Sequence, residues 1–170
     1  MNYKKLHTDA LEELFGPISL HILKQNETIR IVELKDKDDL CRTFALVRFL
    51  DIKGKELKKA HDFMVKGALL GKTLCDFKID FDREFIGSVQ VKLPDWLKDH
   101  FKTTKDSGFG FVSHIWVNDD SVLPNRFVFS EIIEIIPTEL KKDFIHNIKP
   151  LKNVDFEFLS MLNEAKIEMI

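Results

Sequence analysis

The run RFVFSEIIEIIP, Arg126–Pro137, constrains the fold more than any other segment of the chain. Its aromatic and β-branched residues and its closing proline are typical of a buried strand, in which successive side chains point to opposite faces of a sheet. On that interpretation, Glu131 shares one face with Phe127, Phe129, Ile133 and Ile135. Glu134 shares the other face with Val128, Ser130, Ile132 and Ile136. Each face of the strand then carries one carboxylate among apolar side chains.

These two glutamates indicate a pocket or an ion pair. An ionised carboxylate in apolar surroundings is costly unless it is paired, hydrogen-bonded or neutralised by a raised pKa. The alternative is a helix that begins at Ser130 as its N-cap, which would place Glu131 and Glu134 together on a solvated face. The isoleucine pairs, the preceding Phe-Val-Phe and the early Pro137 favour the strand.

Other segments predict an α+β domain. Helical spacing predicts a helix up to Gly16-Pro17, a second short helix at ISLHILK and a third at PDWLKDHF, with a loop or broken helix at VKGALLGKTLCDF. Strands are predicted at TIRIVEL, EFIGSVQVKL, FGFVSHIWV and RFVFSEIIEII, and a β-hairpin is predicted from residues 43–51 and 55–63 around Lys53-Gly54. We therefore expect one antiparallel sheet of about five or six strands, with helices packed on one side and a buried ligand pocket. Residues 1–137 form this predicted domain, and 138–170 form a C-terminal helical extension.

Charge and motif content narrow the classes of function. The formal net charge is −2 with both signs interspersed, so no nucleic-acid or anionic-membrane footprint is visible. The N-terminus does not resemble a signal peptide and no apolar run reaches the length of a membrane span, which predicts a cytoplasmic location. Cys41 and Cys75 are predicted to be reduced, buried thiols. No nucleotide-binding or metal-binding spacing occurs, so we predict no cofactor and no metal, and the oligomeric state is left open.

Arg48 is the natural partner of Glu131. In LVRFLDIKG it would share a face with Phe44, Leu46 and Leu50, and a guanidinium binds a carboxylate through two parallel hydrogen bonds. A structural ion pair and a ligand-binding pair are both open on this pattern. Among the six histidines, His114 is the one worth following, since it lies on a predicted strand beside Ile115 and Trp116.

The order of these features resembles the chorismate pyruvate-lyase family, whose fold is related to the ligand-sensing UTRA domains of some transcription regulators. The similarity runs over about residues 10–137 and is carried by GPISLHIL, LVRFLDIKG, LLGKTL, DREFIG and FVFSEIIEIIP. It implies a cofactor-free lyase that eliminates pyruvate from chorismate, or from a similar pre-aromatic acid, to leave 4-hydroxybenzoate, a precursor of ubiquinone. Ring aromatisation would drive that reaction.

The resemblance also implies roles for particular residues. Arg48 would bind a substrate carboxylate, Glu131 would act as general acid or hydrogen-bond the reacting oxygen, and Ile18 and Leu74 would contact the substrate. The family carries an Arg-Arg-Ser stretch where this chain reads Phe-Gly-Phe-Val-Ser-His, so a second cation would come from Arg83, Lys72 or His114. The alternative function is a non-catalytic binding domain for a small aromatic acid. A third is a structural protein in which Arg48 and Glu131 merely pair.

Overall fold

The computed structural model of the protein describes residues 6–144, 150–151 and 156–170. Within these residues, seven strands form one sheet in the order β1-β2-β3-β6-β5-β4-β7, and each neighbouring pair is antiparallel. The strands are β1 Ser19–Gln25, β2 Ile29–Lys35, β3 Cys41–Phe49, β4 Asp80–Lys92, β5 Ser107–Asn118, β6 Arg126–Pro137 and β7 Glu168–Met169. The predicted class, α+β with a single antiparallel sheet, is confirmed, with seven strands instead of five or six.

Helices in the described part of the chain cover both faces of the sheet, not one face as predicted. They are α1 His7–Phe15, α2 Lys55–Val65, α3 Leu70–Asp76, α4 Asp95–Phe101, α5 Lys141–Phe144 and α6 Phe156–Glu164, with a 3₁₀ turn at Thr138–Leu140. Leu46 of β3 packs with buried residues of α4 and α6, and we call this side the first face. Val47, the next residue, packs with buried residues of α2 and α3 on the second face. Adjacent strand residues point to opposite sides, so the two helix layers lie on opposite faces.

Two predicted elements are wrong. The segment ISLHILK is a strand rather than a helix, because β1 pairs along its length with β2. Residues 55–63 do not form the second strand of a hairpin, because they lie in α2. The buried residues of α2 recur at the i, i+3, i+4 and i+7 spacing of a helix face, and they are Leu57, Ala60, His61 and Met64. The Lys, Glu and Asp residues between them lie on the solvent side.

Strand β6 has the predicted extended conformation, but an irregularity within it changes which of its residues share a face. A register shift opposite Ile115 and Trp116 of β5 leaves Phe129 as the extra residue of a β-bulge. Phe127 and Phe129 therefore pack on the second face with Ile132, and not beside Ile133 and Ile135 as simple alternation predicts. The prediction that Phe127 and Phe129 share a face with Glu131 is accordingly wrong.

The C-terminal residues that the structure describes pack onto the first face. Phe158, Met161 and Leu162 of α6 and the following Ile167 are buried in the same cluster as Phe44 and Leu46. Strand β7 then pairs with the end of β4. The two cysteines are free thiols, but the prediction that both are buried is wrong, because Cys75 is exposed while Cys41 is buried.

Candidate functional site

The predicted pair Arg48 and Glu131 meets on the first face. These residues are direct partners across β3 and β6, and His114 of β5 is the partner of Glu131 on its other side. Arg48 Nη2 lies 3.9 Å from Glu131 Oε2, and His114 Nε2 lies 2.8 Å from the same oxygen. Arg48 and Glu131 are both buried. The two cross-strand partners together neutralise and hydrogen-bond the carboxylate.

Helix α6 covers this cluster from the C-terminal side. The Glu157 carboxylate accepts a hydrogen bond from Arg48 Nη1, and the Phe158 ring centroid lies 5.5 Å from Arg48 Cζ. Arg48 therefore contacts two carboxylates and an aromatic ring. Of the other predicted substrate contacts, Leu74 is buried with Val47 on the second face. Ile18 is half-buried between α1 and β1. The structure thus brings Arg48 and Glu131 together, but it does not bring Ile18 or Leu74 to them.

A cavity lies on the second face, between the sheet and helices α1 and α3. The cavity has a volume of about 100 Å³. Most of its wall is apolar, and the polar members are His7, Thr8, Arg30, Arg83 and Glu134. We call it the Arg30 cavity. The apolar wall consists of Leu6, Leu20, Val32, Leu34, Ala45, Val47, Leu69, Leu70, Gly71, Phe81, Ile115 and Ile132.

Arg30 is the unusual residue of this cavity. It is 2% exposed; its Nη2 donates to the Met64 carbonyl at 3.2 Å, and its Nε has no hydrogen-bond partner. Burial lowers the pKa of Arg30 to about 10, so the guanidinium is charged at neutral pH. Within the described ranges no carboxylate forms an ion pair with it. A buried cation of this kind costs free energy unless an anion reaches it.

The other two charged groups of the cavity neutralise each other. Arg83 Nη2 donates to the Glu134 carboxylate, which is buried. His7 Nε2 lies 2.8 Å from Thr43 Oγ1. Burial lowers the pKa of His7, and Glu134 offsets this in part while Arg83 adds to it. His7 is therefore neutral at neutral pH, and the charge left without a counter-ion is that of Arg30.

Sequence reasoning identified Arg83 as a possible second cation, and Arg83 does line the cavity, whereas Lys72 is exposed and His114 lies on the first face. It missed Arg30 and His7. The sequence did contain a signal for Arg30. In TIRIVEL, Arg30 shares a strand face with Val32 and Leu34, just as Arg48 shares a face with Leu46 and Phe44.

The described residues contain neither a metal-binding cluster nor a membrane-spanning helix. No group of three or more His, Cys, Asp and Glu side chains in this part of the chain is arranged to hold a metal ion. None of the helices in residues 6–144, 150–151 and 156–170 combines the length and apolar character that crossing a bilayer requires.

Comparison with known proteins gives a similarity in structure alone. No protein-family model matches the sequence, and no curated protein matches it. Among solved structures, the C-terminal domain of Yurk from Bacillus subtilis aligns with a TM-score of 0.39 and 12% identity over 72% of this chain and 87% of that one. The resemblance to the chorismate pyruvate-lyase family stays a prediction from the sequence.

Proposed function

We propose that the chain binds a small, mainly apolar carboxylic acid in the Arg30 cavity, with Arg30 as the counter-ion of the carboxylate. The observation that carries this proposal is that a charged guanidinium, 2% exposed and without a carboxylate partner in the described residues, forms part of the wall of an apolar cavity. A carboxylate can accept two parallel hydrogen bonds from a guanidinium, and the orphaned Nε is one of the donors that such a pair uses.

The charge of the cavity specifies the charge of the ligand. Arg30 and Arg83 are cations, Glu134 is an anion, and His7 is neutral at pH 7 because burial lowers its pKa. The described residues that line the cavity therefore have one positive charge in excess. A monocarboxylate therefore neutralises the cavity, whereas a neutral molecule leaves Arg30 without an anion.

The wall specifies the body of the ligand. Side chains such as Val32, Ala45 and Ile132 offer apolar contact without hydrogen-bonding groups. Burying an apolar group against them contributes about 25 cal/mol per Å² removed from water. An aromatic acid without further polar groups, such as benzoate, satisfies both the charge and the wall.

Calorimetric titration with benzoate and with its neutral analogue benzamide tests the proposal. We expect the acid to bind and the amide to bind at least tenfold more weakly, because the amide lacks the charge that pairs with Arg30. Arg30→Met should abolish binding of the acid, while Arg126→Met, at an exposed arginine, should leave the dissociation constant unchanged. Equal affinity for acid and amide, or binding that survives Arg30→Met, would refute the proposal.

The lyase reaction is the second candidate. The observation that favours it is that each face of β6 carries a carboxylate beside a guanidinium, Glu131 with Arg48 and Glu134 with Arg83. Such a pair can orient a carboxylate substrate and assist proton transfer. Release of pyruvate from chorismate is the assay. Loss of pyruvate release in Glu131→Gln alone would support the first face as the site, and loss in Glu134→Gln alone would support the Arg30 cavity. No release by the wild-type protein leaves binding as the function.

A further inference from the structure

A second cavity adjoins the Arg30 cavity near the start of helix α1. Its volume is about 560 Å³, and it is more open to solvent than the Arg30 cavity. We call it the Phe111 cavity. Three side chains, Leu6, His7 and Arg83, line both cavities and so form the wall between them. The other lining residues of the Phe111 cavity are Ala10, Phe85, Phe111, Ser113 and Phe144.

The chemistry of the Phe111 cavity suits an apolar occupant. Three of its lining residues are phenylalanines. Among the described lining residues Arg83 is the one cation, and Glu134 is its partner; burial keeps His7 neutral at neutral pH. These described residues leave no charge without a partner, in contrast to those of the Arg30 cavity. A charged group placed here would gain no counter-ion from these residues, whereas an apolar group would be covered by the phenylalanine rings.

The sizes of the two cavities are complementary. Pockets that hold small molecules usually measure about 300–1,000 Å³, so the Arg30 cavity is below that range and the Phe111 cavity is within it. The smaller cavity can take the carboxylate and the atoms next to it, and the larger one can take a longer apolar group. Neither cavity offers both a counter-ion and this much apolar space.

We infer that the natural ligand is an elongated carboxylic acid, with its carboxylate on Arg30 and an alkyl or aryl chain that passes the Leu6–His7–Arg83 wall into the Phe111 cavity. This inference rests on the proposed function, because it takes the carboxylate position from it. It goes further by specifying a ligand longer than a single aromatic ring.

Each of the three side chains in the wall between the cavities is held by a contact. Leu6 packs on Gly71 of α3, where even an added Cβ would come within 2.7 Å of Leu6 Cδ2. Arg83 is held by Glu134. His7 is held by its hydrogen bond to Thr43 and by ring contacts to Phe111 and Phe144, at centroid distances of 5.5 and 5.0 Å. Rotation of His7 would break this hydrogen bond and both ring contacts, and it would open the wall to the chain of the ligand.

A series of straight-chain acids tests the inference by calorimetric titration. We expect affinity to rise about threefold to fourfold per methylene from butanoate through hexanoate to octanoate, the fold-change that corresponds to about 0.8 kcal/mol per buried CH₂. Ala10→Phe fills the Phe111 cavity alone, so it should remove most of this rise while leaving the dissociation constant of butanoate unchanged. Glu12→Phe, on the exposed side of the same helix, should leave the whole series unchanged.

The outcomes separate the inference from the proposed function. Butanoate bound through Arg30 with no gain from a longer chain, or a gain that survives Ala10→Phe, would overturn the inference and leave the proposed function standing. No binding of any acid, or binding that is insensitive to Arg30→Met, would overturn both. If Ala10→Phe does not fold, Phe85→Ala provides a second test. Removing this partly exposed wall residue should lower the gain in affinity per methylene.

Discussion

Glu131 and Glu134, three residues apart on β6, point to opposite faces of the sheet, and each is paired with an arginine of another strand. Glu131 lies beside Arg48 of β3, and Glu134 accepts a hydrogen bond from Arg83 of β4. The apolar strand therefore tolerates two carboxylates because both are compensated. They differ in surroundings, since only Glu134 lines the Arg30 cavity.

Substitution of the two glutamates should separate these surroundings. Glu134→Gln leaves Arg83 without its anion in the cavity, so we expect several-fold tighter binding of a carboxylate and a loss of about 1–3 kcal/mol in the free energy of unfolding without ligand. Glu131→Gln should lower the free energy of unfolding without changing the dissociation constant. Calorimetry and urea unfolding measure the two quantities. A change in affinity for Glu131→Gln alone would contradict this assignment of the faces.

Arg30→Met should not lower the stability of the ligand-free protein. The substitution removes a buried charge without a carboxylate partner in the described residues and keeps a similar volume, so the unfolding free energy should stay level or rise by about 1 kcal/mol. Arg42→Met is the matched control, because Arg42 Nη2 lies 2.7 Å from the buried carboxylate of Asp36. That variant should lose about 1–3 kcal/mol, since it leaves Asp36 without its cation. Equal losses in both variants would show that Arg30 is a structural residue.

His7 should make the protein less stable in mild acid. The pKa of His7 is below its ordinary value of 6.5 in the folded state, chiefly because burial disfavours the charged form. Between the folded and the ordinary pKa the unfolded chain binds the proton and the folded chain does not. The free energy of unfolding therefore falls as the pH falls below about 6.5.

Urea unfolding of His7→Gln between pH 8 and pH 5 measures this contribution. The variant should lose less stability over that range than the wild type. The exposed His21 provides the control, and His21→Gln should follow the wild-type curve. Identical pH dependence in all three proteins would contradict the lowered pKa of His7.

Helix α6 should contribute to stability through Phe158 more than through Glu157. Phe158 is 2% exposed within the first-face cluster, and truncating such a residue costs about 3–5 kcal/mol. The Glu157 side chain is 68% exposed, so Glu157→Gln should cost less than about 1 kcal/mol even though it pairs with Arg48. Equilibrium unfolding of Phe158→Ala and Glu157→Gln tests the order. A small effect of Phe158→Ala would mean that the extension does not support the sheet.

Strands β5 and β6 could be predicted from local sequence. Both are rich in aromatic and β-branched residues, and β6 ends at a proline. Residues 55–63 were misassigned because the turn signal at Gly54 suggested a hairpin, although Leu57, Ala60, His61 and Met64 carry the helical spacing. The faces of Phe127 and Phe129 could not be predicted, because the bulge that reverses them depends on pairing with β5.

The Arg48–Glu131 pair could be predicted from the sequence, whereas the Arg30 cavity could not. The Arg48–Glu131 contact follows from two apolar strands, one carrying Arg48 and the other carrying Glu131, and the sheet register brings the two residues opposite each other. The Arg30 cavity is formed by residues far apart in sequence, including His7, Arg83 and Glu134. Its existence depends on how α1 and α3 pack on the sheet, which no local pattern specifies.

A crystal structure of the protein grown with octanoate is the most direct test of the account. The account predicts carboxylate oxygens about 2.7–2.9 Å from the guanidinium nitrogens of Arg30 and a chain that extends past His7 toward Phe111. Octanoate bound instead at Arg48 and Glu131, or an Arg30 cavity that stays empty at saturating octanoate, would contradict the account.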